Sequence, residues 1–179
     1  MVSFYTGKGD AGVSQIGELK HPKDSPILEA LGDLDELNSL LGVVRSGYGG
    51  QELGEKLRAV QEALFLIQAN LGAFLAPGSS VPELREEKRK ELEREIGEIE
   101  EKLQLGRGFI VPGANPLSAW LDYVRTVARR AERSCYRAHK EHPIPVPLSY
   151  MNRLSSYLFA LARLEASKEH IKESHPQYE

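Results

Sequence analysis

Apolar residues recur every three or four positions along most of the chain, which is the spacing of helices that bury one face. The pattern predicts five helices, over about 26–44, 52–75, 82–105, 116–140 and 148–169. Short stretches rich in glycine and proline, which favour turns, separate them. No segment shows a convincing strand pattern, so we predict an all-α protein folded as a five-helix up-and-down bundle of the ferritin-like kind.

The ends of the predicted helices carry the expected signals. Ser25 precedes Pro26 and Asn115 precedes Pro116, and a small polar residue before a proline is typical of a helix start. The second helix stops before the Ala76-Pro77-Gly78 turn, and its leucines form a near-heptad seam. Such a seam indicates that this helix packs against another helix.

Composition indicates one soluble domain over 1–179. The chain has 179 residues, of which 41% are hydrophobic and 27% are charged, with a net charge of −3, enough for a single core. Within this domain we distinguish a glycine-rich N-terminal segment, 1–24, and a tail, 170–179, that we expect to be mobile. The near-neutral balance without a basic block disfavours nucleic acid as a partner. Because no apolar leader or run of about 18 apolar residues is present, we predict a cytoplasmic protein without a membrane partner.

The sequence lacks the residues that several kinds of catalytic centre require. A single cysteine, Cys135, cannot form a cysteine-rich zinc site within one chain, and we interpret it as a core residue. A di-iron bundle would need Glu-x-x-His pairs on two facing helices, and the one such pair, Glu18 with His21, precedes the first helix. The histidines lie in loops, at helix ends or in the tail, and we interpret each as solvated: His21, His139, His142, His170 and His175.

A stripe of arginines on the fourth helix is the strongest candidate site. Arg125, Arg129 and Arg133 are four residues apart, with Glu132 beside them, so they share one side of the helix. Guanidinium groups in such a row repel one another unless carboxylates or a polyanion neutralise them. The stripe therefore indicates either an anion site or a solvated face on which Glu132 is the internal partner.

A glycine-rich segment near the N-terminus resembles a phosphate cradle in composition, because glycines let backbone N–H groups face an anion while a lysine adds charge. The candidate residues are Thr6, Gly7, Lys8, Gly9, Asp10 and Gly12. The spacing is not that of a P-loop, and a flexible start of the chain is the alternative. An acid beside phosphates, here Asp10, indicates either a divalent cation or a contact with a ribose.

Three further positions are weaker candidates when each is taken alone. Asp35 lies between Leu34 and Leu37 at the margin of the apolar stripe of the first helix, a position that favours a buried arginine partner, whereas the neighbouring acids are interpreted as solvated. Asn152 is more often part of a surface pair than of a site. Phe109, in a short extended segment before the fourth helix, is by general burial tendency a core residue.

Four segments, in this order, resemble the PduO-type corrinoid adenosyltransferase family: YTGKGDAG, GDLDELNSLLG, FIVPGANPLSAWLDYVRTVARRAER and YMNRLSSYLFALAR. The resemblance spans roughly residues 4–164. It implies a homotrimeric five-helix bundle whose sites lie between subunits. It also implies transfer of the 5′-deoxyadenosyl group of ATP to the cobalt of cob(I)alamin, with Mg²⁺ on the nucleotide, release of triphosphate, and a reductase partner that supplies the reduced corrinoid.

The resemblance also implies roles for single residues. The segment from Thr6 to Gly12 would wrap ATP, and Arg129 would contact its phosphates. Glu132, Arg133 and Asn152 would complete the nucleotide pocket. Asp35 and Arg125 would form a salt bridge between subunits, and Phe109 would lie below the corrin ring.

Three positions depart from the family pattern. Ala11 stands where many members have lysine, so Lys8 would have to supply that phosphate contact. Ala114 replaces a glycine beside the corrin segment, and Ser156 replaces an aspartate. Two alternatives to an enzyme remain open on the sequence: a helical oligomer that carries nucleotide or corrinoid without transfer, and a purely structural trimeric adaptor.

Overall fold

The computed structural model describes residues 5, 7–16, 19–48, 50–76, 78, 81–104, 108–141, 147–171 and 173–177. Five helices form the fold: α1 (Pro26–Gly47), α2 (Gln51–Leu75), α3 (Glu86–Leu103), α4 (Pro116–Glu141) and α5 (Leu148–Lys168). The prediction of a five-helix bundle is confirmed. The largest difference in bounds is at α3, which begins at Glu86 rather than Pro82 because Arg85 has extended backbone angles (φ −67°, ψ 144°).

A small hairpin precedes the bundle, so the prediction that the chain has no sheet is wrong. Strands β1 (Val13–Ile16) and β2 (Leu19–Pro22) pair antiparallel, with Val13 opposite Pro22. Each strand has only four residues, too few for an alternating pattern to stand out in the sequence. His21 is not simply solvated, because its Nε2 lies 3.3 Å from the carbonyl oxygen of Leu75 and so attaches the hairpin to the end of α2.

Helix α4 lies at the centre of the bundle. It packs against α1 and α5, while α2 lies against α1 and α3 against α5. The buried faces carry the apolar stripes seen in the sequence, including Leu34, Leu64, Val124 and Leu158, all fully buried. Burying a side chain of this size stabilises the fold by about 1.5–3 kcal/mol, so these stripes determine which face of each helix points inward.

The predicted N-caps of α1 and α4 are present. The Ser25 hydroxyl accepts from the backbone N–H of Leu28 at 3.5 Å. Asn115 and Ser118 cap each other, because the N–H of Ser118 donates to Oδ1 of Asn115 at 2.7 Å and the N–H of Asn115 donates to Oγ of Ser118 at 3.0 Å. This reciprocal cap fixes where α4 begins, and with it the direction of the segment that carries Phe109.

Acids on α1 pair with α4, which corrects the interpretation of Asp33 as solvated, whereas Glu36 remains exposed. Arg130 contacts both carboxylates, and Asp33 accepts a hydrogen bond from the Ser134 hydroxyl. Cys135 is fully buried on the same helix. Burial raises the pKa of its thiol to about 12, so it remains protonated and unreactive, as the core interpretation requires. Within the described ranges, no helix is long and apolar enough to cross a bilayer.

Candidate functional site

The arginine stripe of α4 lies along the outer side of the buried helix. Val124, Val127 and Ala128 point into the core, and the helical period then turns Arg125, Arg129 and Arg133 towards solvent. Arg125 is half-buried, whereas Arg129 and Arg133 are exposed. The stripe is therefore available to a ligand along its whole length.

Two cavities meet along this stripe. The first, about 560 Å³, lies between α3, α4 and α5 and has a mixed apolar and cationic wall. Its lining includes Ile96, Arg125, Arg129, Phe159, Ala160 and Arg163. A cavity with this wall suits a large apolar ligand that carries a few polar groups.

The second cavity, about 530 Å³, lies between α4 and α5, and three arginines contribute to its wall. The residues that surround it are Arg129, Glu132, Arg133, Tyr136, Arg137, Leu148 and Asn152. Asn152 is oriented from both sides, because its Nδ2 donates to Glu132 at 2.8 Å and its Oδ1 accepts from Arg153 at 2.7 Å. Three guanidinium groups around one space form a strong anion site.

Arg129 forms part of the wall of both cavities. Its backbone carbonyl accepts from Arg133 at 3.1 Å, but among the described residues its guanidinium has no carboxylate or other side-chain partner. The alternative of a solvated face neutralised by Glu132 is disfavoured, because Glu132 accepts a hydrogen bond from Asn152. The five donors of Arg129 are thus available to a bound anion.

Arg125 pairs within its own helix. Its Nε lies 3.1 Å from Oδ1 of Asp122, whose other oxygen accepts from the buried Arg163. Asp35, the predicted partner, is exposed on α1 and has no hydrogen bond or ion pair within the described part of the chain. The Nη groups of Arg125 are without a partner in the same part of the chain, so both groups remain available for a pair between subunits.

Phe109 is not a core residue. Its side chain is 77% exposed, in a segment whose glycines at both ends, Gly108 and Gly113, have positive φ angles of 154° and 113°. The exposed ring is available to a ligand or to a neighbouring subunit. The tail lies against this loop, since the N–H of Val111 donates to the carbonyl of Ser174 at 2.9 Å.

The N-terminal loop is folded into turns. Gly7 and Gly12 have positive φ angles of 65° and 77°, and the N–H of Gly12 donates to Gly9 at 3.2 Å. Lys8 and Asp10 are exposed on this loop, whereas Thr6 lies outside the described residues. Of the described residues that line the two cavities on α4, none comes from 7–12. Within one chain the loop and the arginine stripe therefore form separate surfaces.

Sequence reasoning missed the buried pair of Asp122 and Arg163, which are 3% and 1% exposed. The available signal was that Asp122 follows the core residue Leu121 and precedes Arg125 by one turn. Of the three departures, Ser156 lines the first cavity, while Ala11 and Ala114 line neither cavity. No group of three acidic, histidine or cysteine side chains suited to a metal ion occurs within the described ranges.

Comparisons with known proteins find relatives that match most of this chain. A corrinoid adenosyltransferase from Mycobacterium tuberculosis is 34% identical over 171 residues, which are 92% of this chain and 89% of that protein. The corrinoid adenosyltransferase PduO from Salmonella typhimurium is 34% identical over 173 residues, 94% of this chain but 51% of that protein, so the chain spans about half of its length.

A similar solved structure is a variant PduO-type ATP:corrinoid adenosyltransferase from Lactobacillus reuteri, complexed with cobalamin and ATP. It superposes with a TM-score of 0.90 at 30% identity and covers 98% of this chain and 100% of that one. The resemblance seen in the four motifs is thus confirmed along nearly the whole chain. Residues 4–165 match the cobalamin adenosyltransferase family, and the chain belongs to that family.

Proposed function

We propose that the two cavities are the two halves of an active site that transfers the 5′-deoxyadenosyl group of ATP to the cobalt of cob(I)alamin. The second cavity takes the triphosphate and the first cavity takes one side of the corrin. The observation that carries this assignment is Arg129, a guanidinium without a side-chain partner among the described residues, in the wall shared by both cavities. Formation of a light-sensitive cobalt–carbon bond from ATP and reduced cobalamin tests it.

The reaction requires the protein to position two substrates and to stabilise charge. Co(I) supplies the electron pair of the new cobalt–carbon bond. The bond between C5′ and its oxygen breaks, and triphosphate leaves with the electron pair of this broken bond. The protein supplies no covalent nucleophile, because the corrinoid is itself the nucleophile. Arg129, with Arg133 beside it, is placed to stabilise the negative charge that grows on the leaving triphosphate.

Positioning is the second contribution of the chain. Asn152 and Glu132 hold each other at 2.8 Å and give the nucleotide half a fixed polar edge. Phe159 and Ala160 give the other half an apolar wall. Holding two reactants at contact distance can supply about 7–11 kcal/mol of the barrier reduction, so rigid walls matter here more than acid–base groups.

Mg²⁺ fits this site as a companion of the nucleotide rather than as an ion in a protein cage. Mg²⁺ is usually held by one or two carboxylates together with substrate phosphates, and the described ranges offer no cluster of three ligands. We assign Asp10, on the glycine-rich loop, as the carboxylate that joins such phosphates. The ion would neutralise part of the triphosphate charge.

The active form is a homotrimer in which the loop 7–12 of one subunit covers the arginine stripe of its neighbour. This arrangement explains why the loop and the stripe form separate surfaces within one chain. It also explains why Asp35 and the Nη groups of Arg125 have no partners within the described part of the chain. The enzyme acts in the cytoplasm beside a reductase that delivers the corrinoid in its reduced state.

Replacing Asp35 by alanine should weaken the trimer. Removing one partner of a buried ion pair typically costs about 3–5 kcal/mol, because the other charge stays buried and unpaired. Analytical ultracentrifugation on dilution should therefore show dissociation of the Asp35→Ala protein at concentrations where the parent remains trimeric. Glu36→Ala is the matched control, because Glu36 pairs with Arg130 within the chain. Equal dissociation of Asp35→Ala and the parent would exclude the pair between subunits.

The two alternatives to an enzyme differ in what they leave unexplained. Relatives that match over most of this chain are named adenosyltransferases, so the carrier and the structural adaptor are both disfavoured. An adaptor would also leave without a role the guanidinium of Arg129, which has no side-chain partner among the described residues. A carrier would bind both substrates but release them unchanged.

A further inference from the structure

The end of the chain is attached to the loop that carries Phe109. Besides the bond from Val111 to Ser174, Nδ1 of His175 donates to the carbonyl oxygen of Phe109 at 2.8 Å. The ring of His175 also lies over Gly108, where an added Cβ would come within 3.5 Å of Nδ1. The tail therefore contacts the backbone on both sides of the Phe109 side chain, and leaves that side chain exposed.

Glu173 anchors the same tail in the interior. One of its carboxylate oxygens lies 2.9 Å from Nε of Arg163, which is only 1% exposed. The side chain of Glu173 is 12% exposed, and this burial raises the pKa of its carboxyl. The contact is an ion pair without hydrogen-bond geometry, because Nε and Nη1 of Arg163 and Oε1 of Glu173 are all buried without a hydrogen-bond partner in the described structure. The buried guanidinium charge therefore relies on the two carboxylates beside it, Asp122 and Glu173.

A series of ion pairs connects the tail with residues that line the first cavity. Arg163 holds one oxygen of Asp122, and the other oxygen accepts from Nε of Arg125 at 3.1 Å. Arg125 and Arg163 both line the first cavity. The orientation of Arg125 thus depends on Asp122, and that of Asp122 depends on an arginine whose second partner comes from the tail.

We propose that Glu173 and His175 are positioning residues for the corrinoid half of the active site. His175 holds the backbone of Phe109, and Glu173 holds the Arg163–Asp122 pair that orients Arg125. Both act through other residues, and neither lines the first or the second cavity. This role rests on the function proposed above, which assigns the cavity lined by Arg125 to the corrin, and on the expectation that Phe109 lies below the corrin ring.

The experiment uses the full chain with four replacements. His175→Ala removes the contact to Phe109, and Glu173→Ala removes the anchor on Arg163. Glu173→Gln keeps a side-chain oxygen for Arg163 without the buried charge and should restore the anchor. Ser174→Ala is the control, since Ser174 contacts Val111 through its backbone carbonyl alone in the described structure. His175 is exposed, so its replacement leaves the fold intact.

Two measurements show whether the tail is attached to the Phe109 loop and whether this attachment affects the bound corrinoid, and ATP affinity is the control. Hydrogen exchange of the Val111 amide, without substrates, should be about tenfold faster in the Glu173→Ala/His175→Ala protein because its acceptor opens more often. With ATP and Co(II) cobalamin bound, the visible spectrum should show a several-fold smaller four-coordinate fraction, as expected when the surroundings of a metal are loosened. ATP affinity should stay within about twofold of the parent, because none of the described tail residues lines the second cavity.

The outcomes are distinct. Unchanged exchange at Val111 overturns the attachment of the tail. Faster exchange with an unchanged cobalt spectrum overturns the positioning role and leaves the tail a structural contact. An inactive parent would instead overturn the proposed function, and the positioning role with it, whatever the exchange data show.

Discussion

Replacing Phe109 by alanine is expected to slow turnover from Co(II) cobalamin by about 10- to 100-fold, the size typical of changes to the surroundings of a metal centre. An apolar ring below the corrin excludes water and the lower axial ligand from cobalt. Losing that ligand removes electron donation to the metal, and Co(II) is then easier to reduce to the nucleophilic Co(I). The loss should be smaller when a strong reductant supplies Co(I) directly, because the assisted step is then bypassed.

The exposure of Phe109 makes this prediction separable from a loss of stability. A buried phenylalanine truncated to alanine typically costs about 3–5 kcal/mol, whereas a side chain that is 77% exposed should leave the melting temperature nearly unchanged. Phe65→Ala is the matched control, since Phe65 is 62% exposed but lies on α2 rather than on the loop that carries Phe109. A Phe109→Ala protein that melts far lower, yet binds Co(II) as four-coordinate as the parent, would show that the corrin role is wrong.

Replacing Arg129 by alanine should lower kcat/KM for ATP by about tenfold to a hundredfold, because a hydrogen bond to a charged group contributes about 1.5–3 kcal/mol. Within the described ranges the guanidinium has no side-chain partner that its removal would leave unpaired. The replacement should therefore weaken the interaction with ATP without destabilising the fold. Arg129→Lys keeps the charge without the planar fork and should recover only part of the rate. Initial rates at low ATP measure the effect.

Arg58 provides the control for Arg129. It is 67% exposed on α2, away from both cavities, and pairs only with Glu62 in the described structure. Arg58→Ala should leave the kinetics and the melting temperature close to those of the parent. If Arg129→Ala behaves in the same way at low ATP, Arg129 does not contact the phosphates.

The helices were predictable because each depends on a local pattern. The stripe through Leu34 and Leu37, and the caps at Ser25 and Asn115, can be read without knowing what lies opposite them. The hairpin of β1 and β2 was not predictable in the same way, because two short strands are defined by each other. Their register, Val13 opposite Pro22, has no counterpart in a pattern along the chain.

In the candidate site, too, the spacing along one helix was predictable, whereas contacts between elements were not. Arg125, Arg129 and Arg133 share one side of α4 by spacing alone, and the structure places Arg129, Arg133 and Asn152 around one cavity. The contact between Asp122 on α4 and Arg163 on α5 could not be seen in the sequence, since it depends on how the two helices pack. For the same reason the tail was expected to be mobile, whereas Glu173 lies against Arg163.

The most direct test of the central claim is adenosylation itself. Purified protein, mixed in the dark with ATP, Mg²⁺ and chemically reduced cobalamin, should form a cobalt–carbon bond that light cleaves, with one triphosphate released for each corrinoid. The visible spectrum before and after illumination measures the product, and the same mixture without protein is the control. Folded protein that binds ATP and reduced cobalamin yet yields no photolabile product would contradict the account and favour a carrier.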